Sequence, residues 1–585
     1  CTTLWASPVW AVELTINSID EYQGYKGNSI IGGSGSIKKP LSDENNNVII
    51  FDLQETEELN ESFAAGSGVG NSLTINNGIY DETVYGSADG QKANNNTVTI
   101  HKGKFKNIYG GEARGTGTQA IGNIVTINGG EVSGFVTGAW LTSGEDGQLK
   151  DNYVYINNDS VIKTIYGGHS WLNASDNIVE INDKAVVTNA YGGYGTGSGE
   201  ITQNVVKITD NVTINGLLYG GYGAKGKTIK NKVEISGEAS TNGNWVMGGY
   251  SPKAEANENE VEISGGTVNS NIAGGYGTTA SGNKVMLSGG IIGTNYVYGG
   301  YGTNNADDNI ITLTNDVDIA NVQLYGSNIA TENAIGNTLL IDGWESSNTN
   351  GNVVSNIQRF NNITFKNLQW ENNGIALNIT NTNTYGDLFN TRVNIDNLTL
   401  ANDKKLQAGD KMTFIQSNLD TGLTLDNVAK TEDISIAQGV ATVGKMDMSI
   451  EGETNNLVGK ITGVSLNDQT KLVAENRAVA AAFINQGTDL ISDSLDVISR
   501  DGKYGIKTFA AVQGNRSKYD VNSDLKINGW STIVGVGNEN EHNGGDFSWG
   551  VFYENGSGNY RTFNSFNNEF FRGDGSLVYN GGGIA

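Results

Sequence analysis

Eleven copies of one short pattern, Asn-x-[Val/Leu/Ile]-x-[Ile/Leu], run through the first 340 residues and constrain the fold more than any other feature. They begin at Asn71, Asn96, Asn123, Asn152, Asn177, Asn204, Asn231, Asn259, Asn283, Asn309 and Asn337. Successive copies lie 25, 27, 29, 25, 27, 27, 28, 24, 26 and 28 residues apart, and a looser copy, Asn47-Val-Ile-Ile-Phe51, precedes them by 24. The third and fifth positions are always aliphatic, as in Val98 and Ile100. That alternation is one face of a β-strand. A repeat this short cannot bury its own apolar face, so it must stack on its neighbours. The chain is therefore expected to form a solenoid, which offers a long surface rather than an enclosed pocket.

Each Asn strand is followed by a turn, often with Gly, as at Asn128-Gly-Gly130 and Ser264-Gly-Gly266. A second short strand then ends in Tyr-Gly at Tyr85, Tyr109, Tyr166, Tyr191, Tyr219, Tyr298 and Tyr325, with Met247 and Ala273 in that place in two copies. A polar segment leads on to the next Asn. Two or three short strands in about 26 residues suit one coil of a β-helix; the Leu-x-x-Leu spacing of a leucine-rich repeat is absent, and a propeller blade needs roughly 40 residues. The stacked Asn side chains are expected to hydrogen-bond along the axis, repeating every ~4.8 Å. The aliphatic columns form the core, and glycines supply positive φ at corners.

The formal net charge of −26 argues against a nucleic-acid partner. With 81 glycines and 3 prolines the composition could suggest disorder, but the aliphatic ladder supplies a core. Cys1 is the only cysteine, so neither disulfides nor thiol chemistry is expected beyond it. Residues 1–11 read as the tail of a secretory signal peptide, with Val9-Trp10-Ala11 before the cleavage point; a lipoprotein start at Cys1 is the alternative. No run of 18 apolar residues suggests a membrane helix.

The pattern changes twice. After about residue 345 strand-like stretches continue irregularly, so 345–460 is placed to cap the stack against edge pairing. Residues 472–499 read as a helix, Ala-rich and with Val479, Phe483, Leu490 and Ile491 suitably spaced. From Tyr504 onward come amphipathic strands of about ten residues, the pattern of a membrane β-barrel.

This order of parts resembles a classical monomeric autotransporter of type V secretion. The specific resemblance lies in NRAVAAAFINQGTDLISDSLDVI (476–498), KYGIKTFAAVQGNRSKYD (503–520), WSTIVGVGNE (530–539), FSWGVFYENGSGNY (547–560) and RGDGSLVYNGGGIA (572–585). It implies an all-β chain: a right-handed parallel β-helix passenger (12–344), an autochaperone-like cap (345–460), a linker with a pore helix (461–502), and the first strands of an antiparallel transmembrane barrel (503–585). Family barrels have about twelve strands and end in an aromatic residue, so a chain ending at Ala585 reads as truncated. The resemblance further implies an outer-membrane location, the barrel-assembly machinery as a partner, and a passenger on the cell surface or secreted.

Catalytic and metal patterns are sparse. His101, His169 and His542 lie in different regions, and neither a Gly-x-Ser-x-Gly elbow nor Cys/His metal spacing occurs. No cofactor or metal is expected. Asp307 and Asp308 sit in a loop that could bind calcium weakly. Arg572-Gly573-Asp574 invites an integrin-binding reading, but it falls where the family has a barrel hairpin.

A second column stands three residues after the Tyr-Gly tyrosines: Trp140, His169, Tyr194, Tyr222, Tyr250, Tyr276 and Tyr301, with Trp171 near its start. It is the candidate ligand-binding row, for a glycan or protein of a host or bacterial surface; the alternative is an aromatic ladder that only packs the wall. The leading expectation is a non-enzymatic adhesin or interaction protein. The other is a passenger enzyme acting on polysaccharide, as in pectin-degrading enzymes, which this fold resembles. That reading needs carboxylates gathered on adjacent coils, and Glu112, Glu145 and Asp146 are the nearest candidates.

Overall fold

The computed structural model describes residues 13–25, 45–466 with short interruptions, parts of 479–496, and 505–584 apart from three turns. The signal-peptide tail expected at 1–11 lies outside the described residues. Two compact units emerge, one of residues 1–436 and 445–463, the other of 437–444 and 464–585.

The first unit is a parallel β-solenoid. Its Asn strands pair in register, each with the equivalent strand of the coils before and after. Val98, for example, lies between Leu73 and Val125, and Val206 between Val179 and Val233. The stack runs from Glu13–Ile16 through to Arg392–Leu400. Val98, Val125, Val154, Val179, Val206, Val233 and Val261 are all fully buried, as are the aliphatics two residues on apart from traces. All point inward, as identical phase in each copy requires. A second wall is built by strands such as Val161–Ser170 and Val186–Gly195. A third consists of short strands, Gln119–Ile121, Gln148–Lys150, Ala174–Ser175, Ile201–Thr202, Thr228–Ile229 and Ala256–Asn257.

The Asn column is a continuous hydrogen-bonded ladder in the interior. The Nδ2 of each Asn donates to Oδ1 of the next, at 2.8 Å from Asn177 to Asn204 and 2.9 Å from Asn204 to Asn231. The same Oδ1 accepts from the preceding backbone N–H, at 3.1 Å in both steps. The loose copy at Asn47 belongs to the ladder, and so does Asn361, which heads a similarly loose copy, Asn361-Asn-Ile-Thr-Phe365, 24 residues after Asn337. Buried amides are thus paired with one another, which offsets their desolvation.

Immediately before each ladder Asn from Asn47 to Asn337 the backbone turns through positive φ. Glycine serves at Gly122 and Gly336, but most corners carry other residues, including Asp176 (56°), Gln203 (56°), Lys230 (57°) and Glu258 (56°). The sequence reading assigned these corners to glycine; in most coils a polar side chain holds the left-handed conformation instead. For an L-residue that conformation costs roughly 1–2 kcal/mol, part of which glycine would give back in chain entropy. Gln203→Gly is therefore expected to stabilise the solenoid by about 0.5–1 kcal/mol. A lowered melting temperature in that variant would contradict the strain account.

The start of the stack carries a helix that the repeat pattern does not reveal. Ile19–Tyr25 lays Tyr22 on the core, 2 % exposed, with its ring 6.0 Å from Phe51 and 6.1 Å from Phe63. At the other end Asn352–Val354, Ile375–Ile379 and Lys411–Ser417 continue parallel, but Asn456–Leu466 joins the last of them antiparallel. Trp370, Phe360, Phe365 and Phe414 fill this end of the core.

The second unit contains an antiparallel sheet of four strands in chain order: Gly505–Asp520, Asp524–His542, Gly545–Phe566 and Glu569–Ile584, of 16, 19, 22 and 16 residues. Its faces alternate along most of each strand. On one, Leu525 and Ile527 are buried and pack with Val479, Ala482, Tyr560, Leu577 and Tyr579. Residues 479–482 and 488–494 are helical, so part of the expected 472–499 helix covers this face; Phe483 lies outside the described residues. The opposite face exposes Val512, Trp530, Val534, Val536, Val551 and Tyr553.

The aromatic column as a candidate functional site

A pair of glycines in the second wall sets the stage for the column. Strands there read Tyr-Gly-Gly-Tyr, as at Tyr191–Tyr194 and Tyr219–Tyr222. A Cβ on the first glycine would meet the neighbouring coil's backbone: at Gly220 it would lie 2.5 Å from the Gly248 oxygen and 2.7 Å from the Lys232 nitrogen. A Cβ on the second would enter the Asn ladder, 2.5 Å from Asn231 Cγ at Gly221 and 2.5 Å from Asn204 Cγ at Gly193. The wall can therefore approach the ladder closely only where both positions carry small residues, glycine at the first and glycine, Ala139 or Ser327 at the second. Both tyrosines of each motif are then displaced to the outside.

The inner tyrosines of this outer layer are nearly covered: Tyr109 is 6 % exposed, Tyr191 7 % and Tyr219 4 %. Met247 and Ala273 continue their row, and Thr137 occupies it between Tyr109 and Tyr166, a substitution the sequence reading passed over. Where Ala273 leaves room, Trp245 reaches across toward Tyr298, with 6.3 Å between ring centroids.

The outer row holds all seven expected residues in one line. Trp140 pairs in register with His169, His169 with Tyr194, Tyr194 with Tyr222, Tyr222 with Tyr250, Tyr250 with Tyr276 and Tyr276 with Tyr301. All seven are half-buried. Their rings contact one another at 5.6, 5.0, 4.5, 5.4, 4.9 and 5.0 Å between successive centroids. All of these contacts are stacked except His169 against Tyr194, which is edge-on at 86°. The ring faces are thus occupied by neighbours. What the row offers to solvent is ring edges and phenol hydroxyls, not free faces on which a sugar could lie flat. Trp171 stands apart, half exposed.

The row has chemical ends. Before Trp140 its place is taken by Glu112, fully buried and held by Arg114, with Nε 3.0 Å and Nη2 2.9 Å from Oε1. Glu112 is thus a structural ion pair. It is not gathered with Asp146, an exposed corner residue at φ 69°, and Glu145 lies outside the described residues. After Tyr301, Asn328 Oδ1 accepts from Gly302 N–H at 2.8 Å. Asp307 Oδ1 accepts from Ile335 N–H at 2.8 Å, which ties down a corner. Among the described residues no three His, Cys, Asp or Glu side chains gather as a metal site. Arg572-Gly573-Asp574 lies within a strand rather than a loop, and Asp574 pairs with Arg561 Nε at 2.9 Å.

Burial is the main electrostatic influence on the row. It raises the phenols of Tyr194, Tyr222 and Tyr250 above the usual tyrosine range. It lowers His169 to about 4. The folded state therefore holds a neutral imidazole, whereas the unfolded chain takes up a proton near pH 6.5. Stability associated with His169 is present above that value and is lost as pH falls from about 6.5 toward 4. His169→Tyr, which copies the neighbouring coils, should reduce the loss of stability between pH 7 and pH 4.5 by about 2 kcal/mol. Denaturant titrations at the two pH values check this, and an unchanged difference would refute it.

No protein-family model matches this chain, and neither a curated protein nor a solved structure matches it.

Proposed function

We propose that this chain is the passenger of a monomeric autotransporter joined to strands of its own outer-membrane barrel, and that the passenger is a surface adhesin or interaction protein. The observation that carries the reading is the pairing, in one chain, of a parallel solenoid with a long-stranded antiparallel sheet that is apolar on its exposed face. Val512, Val534, Val551 and Tyr553 occupy that face and are each 44–71 % exposed. Strands of 16–22 residues exceed the 9–11 needed to cross a bilayer's hydrocarbon core. An apolar outer face with a helix on the inner one suits a barrel wall around a pore-lying segment. The acidic rod would then be displayed outside, with the aromatic row as its most distinctive surface.

The reading is tested in a diderm bacterium that expresses the natural full-length product. Replacing Ala480, Ala481 and Ala482 together by Glu should lower whole-cell antibody labelling of the solenoid while total protein stays constant, because Ala482 packs with the covered sheet face and the neighbouring small side chains suit a narrow pore. Labelling that survives the change rejects export through the barrel. Adhesion is tested separately: Tyr194→Ala, Tyr222→Ala and Tyr250→Ala should weaken attachment per displayed molecule. Undiminished attachment removes the row from the adhesin reading.

A further inference from the structure

Two tyrosines of the outer row are placed for a covalent reaction with each other. Tyr194 and Tyr222 lie in adjacent coils, paired in register. Their ring centroids are 4.5 Å apart and their planes differ by 4°, the closest and most nearly parallel contact between successive rings of the row. Near-parallel planes at that separation bring the carbons beside one hydroxyl to van der Waals distance from the other ring. The Gly192-Gly193 and Gly220-Gly221 pairs hold both strands against the Asn ladder, so the rings cannot drift apart without loss of wall packing. Both side chains are half-buried, which leaves their edges open to a small oxidant.

We propose that Tyr194 and Tyr222 form an oxidative cross-linking site, at which dityrosine joins one coil of the solenoid to the next. The oxidant class is peroxide used through a one-electron oxidant such as a haem peroxidase. Each phenol gives up one electron and one proton. The two phenoxyl radicals couple through a carbon–carbon bond between ring positions ortho to oxygen. The two ortho hydrogens then leave carbon and restore the phenol O–H groups, while one peroxide is reduced to two waters. An ordinary phenol is protonated at neutral pH and burial raises these two further, so each gives up a proton as well as its electron on oxidation. Holding the reactants in register replaces a bimolecular encounter by an intramolecular one. A cross-link between neighbouring coils restricts the unfolded chain and opposes fraying of a rod whose coils contact only their neighbours.

The test uses the full chain in detergent, treated with peroxide and a haem peroxidase under conditions that convert free tyrosine to dityrosine. Trypsin separates the partners into the peptides 185–207 and 208–225. The expected result is a linked pair with their summed mass less two hydrogens, fragmentation placing the bond between Tyr194 and Tyr222, in a chain that still migrates as a monomer. Tyr222→Phe keeps the ring in the stack and should lower the yield of that pair by about tenfold or more. Tyr194→Phe should do the same and serves if the first variant does not fold. No linked pair, links found only between molecules, or a yield unaffected by either substitution would overturn the proposal.

Discussion

Gly220→Ala is expected to be the most damaging single-methyl change in the solenoid, costing more than about 4 kcal/mol or preventing soluble expression. The new Cβ would sit 2.5 Å from the Gly248 oxygen and 2.7 Å from the Lys232 nitrogen, both backbone atoms of adjoining strands. Neither can move without breaking the parallel register that joins Tyr219 to Met247 and Tyr222 to Tyr250. Gly221→Ala is the internal comparison. Its Cβ would meet the Asn231 side chain, yet the same position is filled by Ala139 and Ser327 in other coils. A cost of about 1–3 kcal/mol is expected there. Thermal melts of the two variants decide the matter: equal losses would show that the clash with backbone is not what restricts the first glycine.

Asn204→Ala is expected to cost about 3–5 kcal/mol, far more than the loss of one exposed amide. Asn204 Oδ1 accepts from both the backbone N–H and the Nδ2 of Asn177, and its own Nδ2 donates to Asn231 and to the Ala174 carbonyl. Removing it strands two buried donors on Asn177, each costing about 1–3 kcal/mol when left unsatisfied. The small cavity adds to this. Asn45, which donates no ladder bond and instead accepts from Val69 N–H at the exposed surface, is the control. Asn45→Ala should cost under about 1.5 kcal/mol. A loss at Asn204 as small as that at Asn45 would mean that water replaces the missing amide.

Much of the solenoid is legible because a parallel stack repeats its environment. Whatever Val98 meets, Val125 and Val154 meet again, so burial, face and register recur as sequence period. The unnoticed Thr137 shows the limit of that logic. Once a coil departs from the consensus, the pattern no longer states which residue takes the shared position; the pairing of Thr137 with Tyr109 does. The helix Ile19–Tyr25 was not read at all, since seven residues with one buried tyrosine carry no periodic signal.

The sequence by itself determined the coil, the inward aliphatic columns, the Asn column and the existence of an outer aromatic row, because each is a local choice copied many times. Three things were decided only by the tertiary structure. Corners of positive φ fall on Gln203, Lys230 and Glu258 as readily as on glycine, since neighbouring coils hold the bend and local preference is overridden. The glycine pair answers to contacts beyond its own strand, the Gly248 backbone 28 positions on for Gly220 and the ladder Asn231 for Gly221. The aromatic rings, finally, turn their faces to each other and their edges to solvent. Spacing in the chain set how far apart their strands lie, but side-chain rotation against the adjoining coil set which part of each ring a partner or an oxidant can reach.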